Sequence, residues 1–268
     1  MSEPAPAASS ATSRQSSPYS LEGRRAVVTG SSSGIGRAIA LELAGAGAAV
    51  VVHARRSRDA AESVRDEIRR RGVPGELVLA DLGVAEGRAR LLESAYRSLG
   101  TVDIWINNAG ADVLTGDGAA LSFADKLERL LAVDVRATIF LAREVGARMR
   151  AASGGVILNM GWDQAEVGME GDSGELFGAT KSAVMGFTRS VALGLAPSVR
   201  VNCLAPGWIR TAWGASAPEE WEKRVLREVP GGRWGTPEDV ARVARYLCSD
   251  AASFVTGQVV RINGGAVR

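Results

Sequence analysis

Ala26-Val27-Val28-Thr29-Gly30-Ser31-Ser32-Ser33-Gly34-Ile35-Gly36 is the stretch on which the fold turns. A short β-branched run ends in glycines at 30, 34 and 36, and an apolar pattern of helical period opens at Ile35. Glycine permits backbone conformations and close approaches that a Cβ would block. The start of a helix offers unpaired N–H groups and a partial positive charge, so the combination suits a pyrophosphate. Packing alone can also call for a glycine-rich strand-to-helix turn. A Walker loop is excluded, because no Gly-Lys-Ser/Thr follows.

Outward from this turn, apolar runs alternate with longer segments of helical period, the pattern of βαβ units that build a parallel sheet. Strands are expected at Arg25–Thr29, Ala48–His53, Glu76–Ala80, Val102–Ile106, Gly155–Met160, Val199–Leu204 and Gln258–Ile262. Helices are expected at Ile35–Ala46, Arg58–Arg71, Ala85–Leu99, Phe123–Arg150, Leu176–Ala196 and Pro237–Ser249, with a short piece at Pro218–Glu228. In Leu176–Ala196 the apolar residues Phe177, Val184, Phe187, Val191 and Leu195 recur at three- and four-residue steps. The expected fold is α/β, a Rossmann-like, doubly wound, seven-stranded parallel sheet with helices on both faces. No internal repeat or linker divides it, so residues 21–268 read as one dinucleotide-binding domain. Residues 1–20, rich in Ser, Ala and Pro, read as a disordered leader on a cytoplasmic protein.

Lys plus Arg number 32 against 30 Asp plus Glu, which gives no reason to expect a nucleic-acid partner. No apolar stretch approaches the roughly 20 residues of a membrane span. Two cysteines, Cys203 and Cys248, lack metal-ligand spacing, and the single histidine, His53, lies in an apolar run, so no metal is expected.

Thr29-Gly30-x-x-x-Gly34-Ile35-Gly36 resembles the cofactor fingerprint of the short-chain dehydrogenases/reductases, in the single-domain branch similar to the 3-oxoacyl-carrier-protein reductases. Further motifs fall in that family's order: Asp81-Leu82, Asn107-Asn108-Ala109-Gly110, Pro206-Gly207-Trp208-Ile209-Arg210-Thr211, the run Gly232 to Ala241, and Thr256-Gly257-Gln258 through Asn263-Gly264-Gly265. The resemblance covers nearly everything after the leader. It implies that Asp81 bonds the adenine amino group and that Asn108 and Gly110 border the adenine ribose. It also implies that Ile209 and Thr211 hold the nicotinamide carboxamide. Two of these have plainer readings: Asp81 as a helix cap, and Asn107-Asn108 as a strand-end turn. Ser32, Ser33, Leu82, Ala109, Pro206 and Gly207 complete the expected cofactor contacts.

Cofactor choice depends on the end of the second strand, where an acid would accept a ribose 2′-hydroxyl. The chain reads Val51-Val52-His53-Ala54-Arg55-Arg56, with no acid. Arg55 is placed to pair with a 2′-phosphate, aided by hydroxyls of Ser31, Ser32 and Ser33, which favours NADP(H) over NAD(H). The alternative is that Arg55 points into solvent.

At the catalytic positions the sequence departs from the family. Where the resemblance implies a tyrosine with a lysine four residues later, Phe177-Gly178-Ala179-Thr180-Lys181 keeps only the lysine. Trp162 takes the serine position, and Asp134 replaces the asparagine of the fourth helix. The loop from Gly161 to Leu176 carries Asp163, Glu166, Glu170, Asp172 and Glu175 with no base among them. A carboxyl desolvated beside Trp162 and Phe177 would have a raised pKa and could donate a proton. Asp163 is the first candidate, with Asp134 and Ser173 next. The loop also reads as an exposed acidic surface or as a recognition site for a cation.

Trp208 and Trp213, with the Pro218–Glu228 helix, are expected to form a lid over a hydrophobic or ring-bearing ligand, while Trp105, Trp221 and Trp234 are expected to pack. The expected function is an NADP(H)-dependent oxidoreductase on a small carbonyl, alcohol or related substrate, with its proton transfer reassigned. The alternatives are a non-catalytic cofactor-binding homologue with a structural or partner-binding role, and a carboxylate-driven dehydratase or isomerase. The resemblance implies a homo-oligomer, tetramer or dimer.

Overall fold

The computed structural model describes residues 17–211, 214 and 218–267. Most of the expected leader, and Trp213, lie outside them. The first half holds β1 (Arg25–Val28), α1 (Gly34–Gly45), β2 (Ala49–Ala54), α2 (Arg58–Arg70), β3 (Gly75–Leu79), α3 (Ala85–Leu99) and β4 (Ile104–Asn107). Then come α4 (Gly116–Ala119), α5 (Phe123–Leu130), a π-helical segment at Leu131–Ala137, and α6 (Thr138–Ala151). The rest is β5 (Gly155–Met160), a 3₁₀ turn at Asp163–Glu166, α7 (Asp172–Leu195), β6 (Val199–Pro206), α8 (Glu219–Glu228), α9 (Pro237–Cys248) and β7 (Val259–Ile262).

All seven strands pair in parallel, as the sequence pattern implies, and their order is β3-β2-β1-β4-β5-β6-β7. Strand residues are apolar on both sides because helices cover both faces. Val27, Val51, Trp105 and Ile157 pack with Leu91 of α3 and with Leu141, Val145 and Met149 of α6. Their neighbours Val28, Val50, Ile104, Ile106 and Leu158 pack with Ile39, Leu43, Val64, Val240 and Leu247 of α1, α2 and α9. From β1 the chain builds outward through β2 and β3, then returns to place β4 on the other side of β1. Loops leaving β1 and β4 therefore diverge, opening a crevice above their carboxyl ends where such sheets bind ligands.

Three local outcomes differ from the pattern-based expectation. The helix expected over Phe123–Arg150 is interrupted by the π-helical turn that contains Asp134, a departure that often marks a functional site. Helix α7 starts at Asp172 rather than Leu176, which puts Asp172 and Glu175 in its first turn, where the helix dipole favours negative charge. The end of the expected leader is docked: Pro18 O accepts from the Ala251 N–H, Tyr19 O accepts from Arg245 Nε, and Tyr19 lies beside Tyr246. The domain's edge thus lies earlier than residue 21.

At α9 the sequence encodes its own start. Thr236 and Asp239 form a reciprocal capping box and Pro237 occupies the first turn. Hydrogen bonding from Arg233, together with the Thr236 N–H and Arg242, holds the Asp239 carboxyl well below the usual carboxylate range against the opposing effect of burial.

Candidate functional site

The turn after β1 is tied down by groups from β2 and from the end of β4. Thr29 Oγ1 donates to Ile106 O and accepts the N–H groups of Asn108 and Ala109. The Asn108 side-chain amide donates to Thr29 O and Gly30 O at 2.9 and 3.1 Å. Gly30 and Gly34 have positive φ, and a Cβ on Gly36 would come within 2.3 Å of Gly30 O and 2.4 Å of Asn108 Nδ2. The glycines are therefore steric requirements of this turn.

His53, unremarkable in the sequence, closes the same network. Its Nδ1 accepts the Gly30 N–H at 3.0 Å, which puts the ring proton on Nε2, 3.0 Å from Ala80 O. Burial pushes its pKa down to about 4, with the Ala80 carbonyl and Asp81 opposing, so the ring is neutral at neutral pH. The available signal was its place at the carboxyl end of β2, next to the glycine turn. Ser31, expected to offer a hydroxyl to a phosphate, is buried and committed: Oγ donates to Val28 O and accepts the His53 N–H.

Other expected cofactor residues keep free faces. Ser33 sits at the N-cap of α1 without a side-chain capping bond. Ser32 is half-buried and Ser33 exposed. Arg55 and Arg56, exposed just beyond β2, have no ion-pair partner among the described residues, whereas Arg58 pairs with Glu62. Asp81 Oδ1 accepts the Gly83 N–H in a local turn; the helix-cap alternative is not realised, since Val84 is the N-cap of α3 and no side chain caps it. Leu82 and Ile209 are buried, and Gly110 lies against the Asp134 carboxylate. Thr211 Cγ2 stands 3.7 Å from where a Gly34 Cβ would be, so the segment after β6 reaches across to the glycine turn.

The cradle passes an elementary test of fit to a dinucleotide. The start of α1, which no side chain caps, supplies N–H groups to a phosphate beside the positive-φ Gly34, where a Cβ would meet only Thr211.

On the opposite wall, β5, α7 and the π-helical turn converge. Lys181 Nζ is 2.8 Å from Asp134 Oδ2 and 3.3 Å from Met160 O, and Asp134 Oδ1 accepts the Ala111 N–H. Both residues are buried, so each charge offsets the other in a medium where an unpaired charge is costly. A polar chain runs behind them: Trp105 Nε1 donates to Asn107, Asn107 to Asn159, Asn159 to Thr188, and Thr188 to Val184 O. It fixes β4, β5 and α7 relative to one another.

Trp162 and Phe177 meet edge to face, with ring centroids 6.3 Å apart and an interplanar angle of 68°. They wall a cleft of about 470 Å³ that Lys181, Ile35, Gly207 and Thr211 also line, so the cofactor turn and the catalytic positions share one space. Trp221 and Trp234, expected to be packing residues, line it too, beside Trp208. Trp208 lies 5.3 Å from Trp221 and 6.1 Å from Trp234 by ring centroid. Arg224 covers Trp208 and Trp221, and Arg210 covers Trp234.

The expectation of an unneutralised acidic loop is corrected. Glu166 pairs with Arg189 and Arg261, and Glu170 with Arg224 of α8, all partners distant in sequence. Asp163, the first candidate for a desolvated carboxyl, is buried, and burial pushes its carboxyl up to about 6 against hydrogen bonds from Asn263 and nearby backbone. Yet its Oδ2 faces Asn263 Nδ2, at 3.1 Å, and the back of Gly207, and it is not among the residues lining the cleft. The desolvation arises behind the cleft, not beside Phe177. Among the described residues no His, Cys, Asp and Glu group is arranged to hold a metal, and no helix is long and apolar enough to cross a membrane.

Comparison with known proteins agrees with this geometry. A family described as enoyl-(acyl carrier protein) reductase matches residues 30–267. The chain is 38% identical over 250 residues to a 3-oxoacyl-(acyl-carrier-protein) reductase of Aquifex aeolicus, covering 91% of this chain and 98% of the relative. The corresponding Pseudomonas aeruginosa reductase is 36% identical, at 92% and 98% coverage. Among solved structures, a 7α-hydroxysteroid dehydrogenase complexed with NADH and a 7-oxo bile acid superposes with TM-score 0.85 at 34% identity, covering 93% and 96% of the two chains. A protein described as an NAD(P)-dependent gluconate 5-dehydrogenase from Beutenbergia cavernae, with NADP bound at low occupancy, gives TM-score 0.82 at 38% identity, covering 93% and 99%.

Proposed function

The chain belongs to the short-chain dehydrogenase/reductase family, whose named relatives here are oxidoreductases, and on that premise we propose that it is an NADP(H)-dependent oxidoreductase working without the family's tyrosine and serine hydroxyls. The supporting observation is a cofactor turn locked by Thr29, Asn108 and His53 that opens onto the same cleft as Lys181. When bound, NADPH supplies a hydride from the nicotinamide ring.

In this reading the backbone at Gly30, Gly34, Ile35 and Gly36 holds the pyrophosphate. Arg55 and Ser32 hold the 2′-phosphate, with Ser33 beside them. Asp81, Leu82, Asn108, Ala109 and Gly110 border the adenosine, and Pro206, Gly207, Ile209 and Thr211 hold the carboxamide. Lys181, charge-balanced by Asp134, binds the nicotinamide ribose. Phe177 and Trp162 exclude water and press the substrate toward the ring. The relatives' names span acyl thioesters, steroids and a sugar acid, so family membership leaves the substrate open; the cleft's walls favour a hydrophobic, ring-bearing small molecule. Exposed Phe140 on α6 and Leu193 on α7 support a homo-oligomer, and a monomer in sedimentation would reject that part.

The test is calorimetric titration with NADPH and NADH, followed by a panel of ketones, enones and imines. NADPH is expected to bind more tightly. Arg55→Ala should weaken NADPH, but not NADH, by about tenfold or more, the loss of one charge-assisted hydrogen bond. No saturable NADPH binding, or saturated binding with no hydride transfer to any member, overturns the proposal; the latter result is what a non-catalytic homologue gives.

A further inference from the structure

Resting on the oxidoreductase reading, we propose that the cleft takes ring-bearing substrates whose reacting carbon is already activated by a cationic nitrogen: iminium ions, or in reverse the corresponding tertiary amines. Hydride addition to a ketone leaves negative charge on oxygen, which needs a hydrogen-bond donor and then a proton. The two positions expected to supply them hold the Phe177 ring and the Trp162 indole, packed edge to face. Phenylalanine has no proton to give, and an indole N–H is only a donor. The nearby buried acid, Asp163, is turned toward Asn263. Ser173 and Thr211 also line the cleft, but neither hydroxyl bonds a basic side chain among the described residues, and Lys181 is held by Asp134.

An iminium ion removes the need. The hydride forms a C–H bond at the iminium carbon, and the C=N π pair becomes the lone pair of a neutral amine. NADPH becomes NADP⁺, so the positive charge passes from substrate to cofactor and no proton moves. Every electron is accounted for without a general acid.

The walls also suit a cation. Trp208, Trp221 and Trp234 already carry Arg224 or Arg210, while Trp162 and Phe177, at the reacting end, have no cation over their rings among the described residues. Aromatic faces attract cations through the ring quadrupole. The protein's own positive charges around the cleft are each matched: Lys181 by Asp134, Arg224 by Glu170 and Glu228, Arg210 by Glu222. Asp172 and Glu175, in the first turn of α7 beside Ser173, have no ion-pair partner among the described residues.

The experiment supplies the full-length protein and NADPH with N-methyl-3,4-dihydroisoquinolinium or with 1-tetralone, its neutral ketone counterpart, and follows NADPH consumption and product mass above a protein-free blank. The iminium is expected to be reduced at least roughly 10²-fold faster, with little pH dependence. Phe177→Tyr combined with Trp162→Ser should raise ketone reduction by about 10²–10⁴ and add a pH dependence. A binding readout stands beside the kinetic one. In the presence of NADPH, the non-reducible N,N-dimethyl-tetrahydroisoquinolinium should bind more tightly than neutral 2,2-dimethyltetralin, and Phe177→Leu should erase the difference. Ketone reduction by the natural protein at the iminium rate, or equal binding of cation and neutral isostere, overturns the substrate class while leaving hydride transfer intact. Reduction of neither compound, with NADPH bound, removes both readings.

Discussion

At the turn after β1, polar side chains are consumed by the protein itself: His53, Thr29, Ser31 and Asn108 spend their hydrogen bonds on backbone from β1, β2, β3 and β4. Across the crevice, the cleft above α7 is faced with aromatic rings, and the buried ion pair of Lys181 with Asp134 lies at its floor. The first region specifies a rigid backbone shape for a ligand of fixed form. The second specifies an apolar volume with balanced charge, which sets what can react there. Substitutions in the first should therefore act through geometry, and those in the second through charge.

The largest expected effect tests that division at the buried pair. Asp134→Ala leaves the Lys181 ammonium without its partner and the Ala111 N–H without its acceptor. The expected cost is about 3–5 kcal/mol in urea unfolding. Adding Lys181→Met removes the stranded charge and should restore much of the loss. If the single variant were as stable as the natural protein, the pair would not be the organising charge of the cleft.

Next is a contrast in pH dependence between the two regions. His53 has a folded pKa depressed by burial to about 4, from an ordinary 6.5, so its contribution is present above 6.5 and is lost as pH falls toward 4. Asp163 has a folded pKa raised by burial to about 6, from 3.8, so its contribution is full below 3.8 and is lost as pH rises through 6. Between these limits the two trends oppose and flatten the profile. Asp163→Asn keeps an acceptor for Asn263 and removes the ionisation. The variant should be more stable than the natural protein at about pH 8, by roughly 1–3 kcal/mol, and should lose stability more steeply on acidification. Unfolding free energies measured at several pH values decide it; parallel profiles for the two proteins would refute the opposition.

The same contrast explains what the sequence disclosed. The glycine turn, the seven strands and the motif order were legible because each rests on short spacing and strand periodicity. His53 was not, since its role comes from pairing β2 against β1 and placing one ring beside Gly30. Nor was the neutralisation of Glu166 and Glu170, whose cations arrive from α7, α8 and β7. Asp163 was picked out as a buried carboxyl, but its direction depends on Asn263, a hundred residues away. Trp221 and Trp234 looked like packing residues because lining a cleft and filling a core demand the same side chains.

The smallest effect separates two ways the lid helix α8 is held over the cleft. Arg224 makes ion pairs with Glu170 and Glu228 and also stacks on Trp208 and Trp221. Glu170 is exposed, so its pair with Arg224 is screened by water and salt, and Glu170→Gln should leave the thermal midpoint and the hydrogen exchange of residues 219–228 unchanged. Arg224→Lys keeps the charge but loses the planar face that lies on two indoles. Stacking of this kind is worth about 1 kcal/mol, enough to speed amide exchange in α8 by about fivefold while β5 stays protected. Were Glu170→Gln to loosen α8 as much as Arg224→Lys, charge would govern the lid as it governs the floor. If only the lysine variant does so, the indole faces hold the lid, and the cleft's aromatic wall serves both to recognise the ligand and to keep its cover in place.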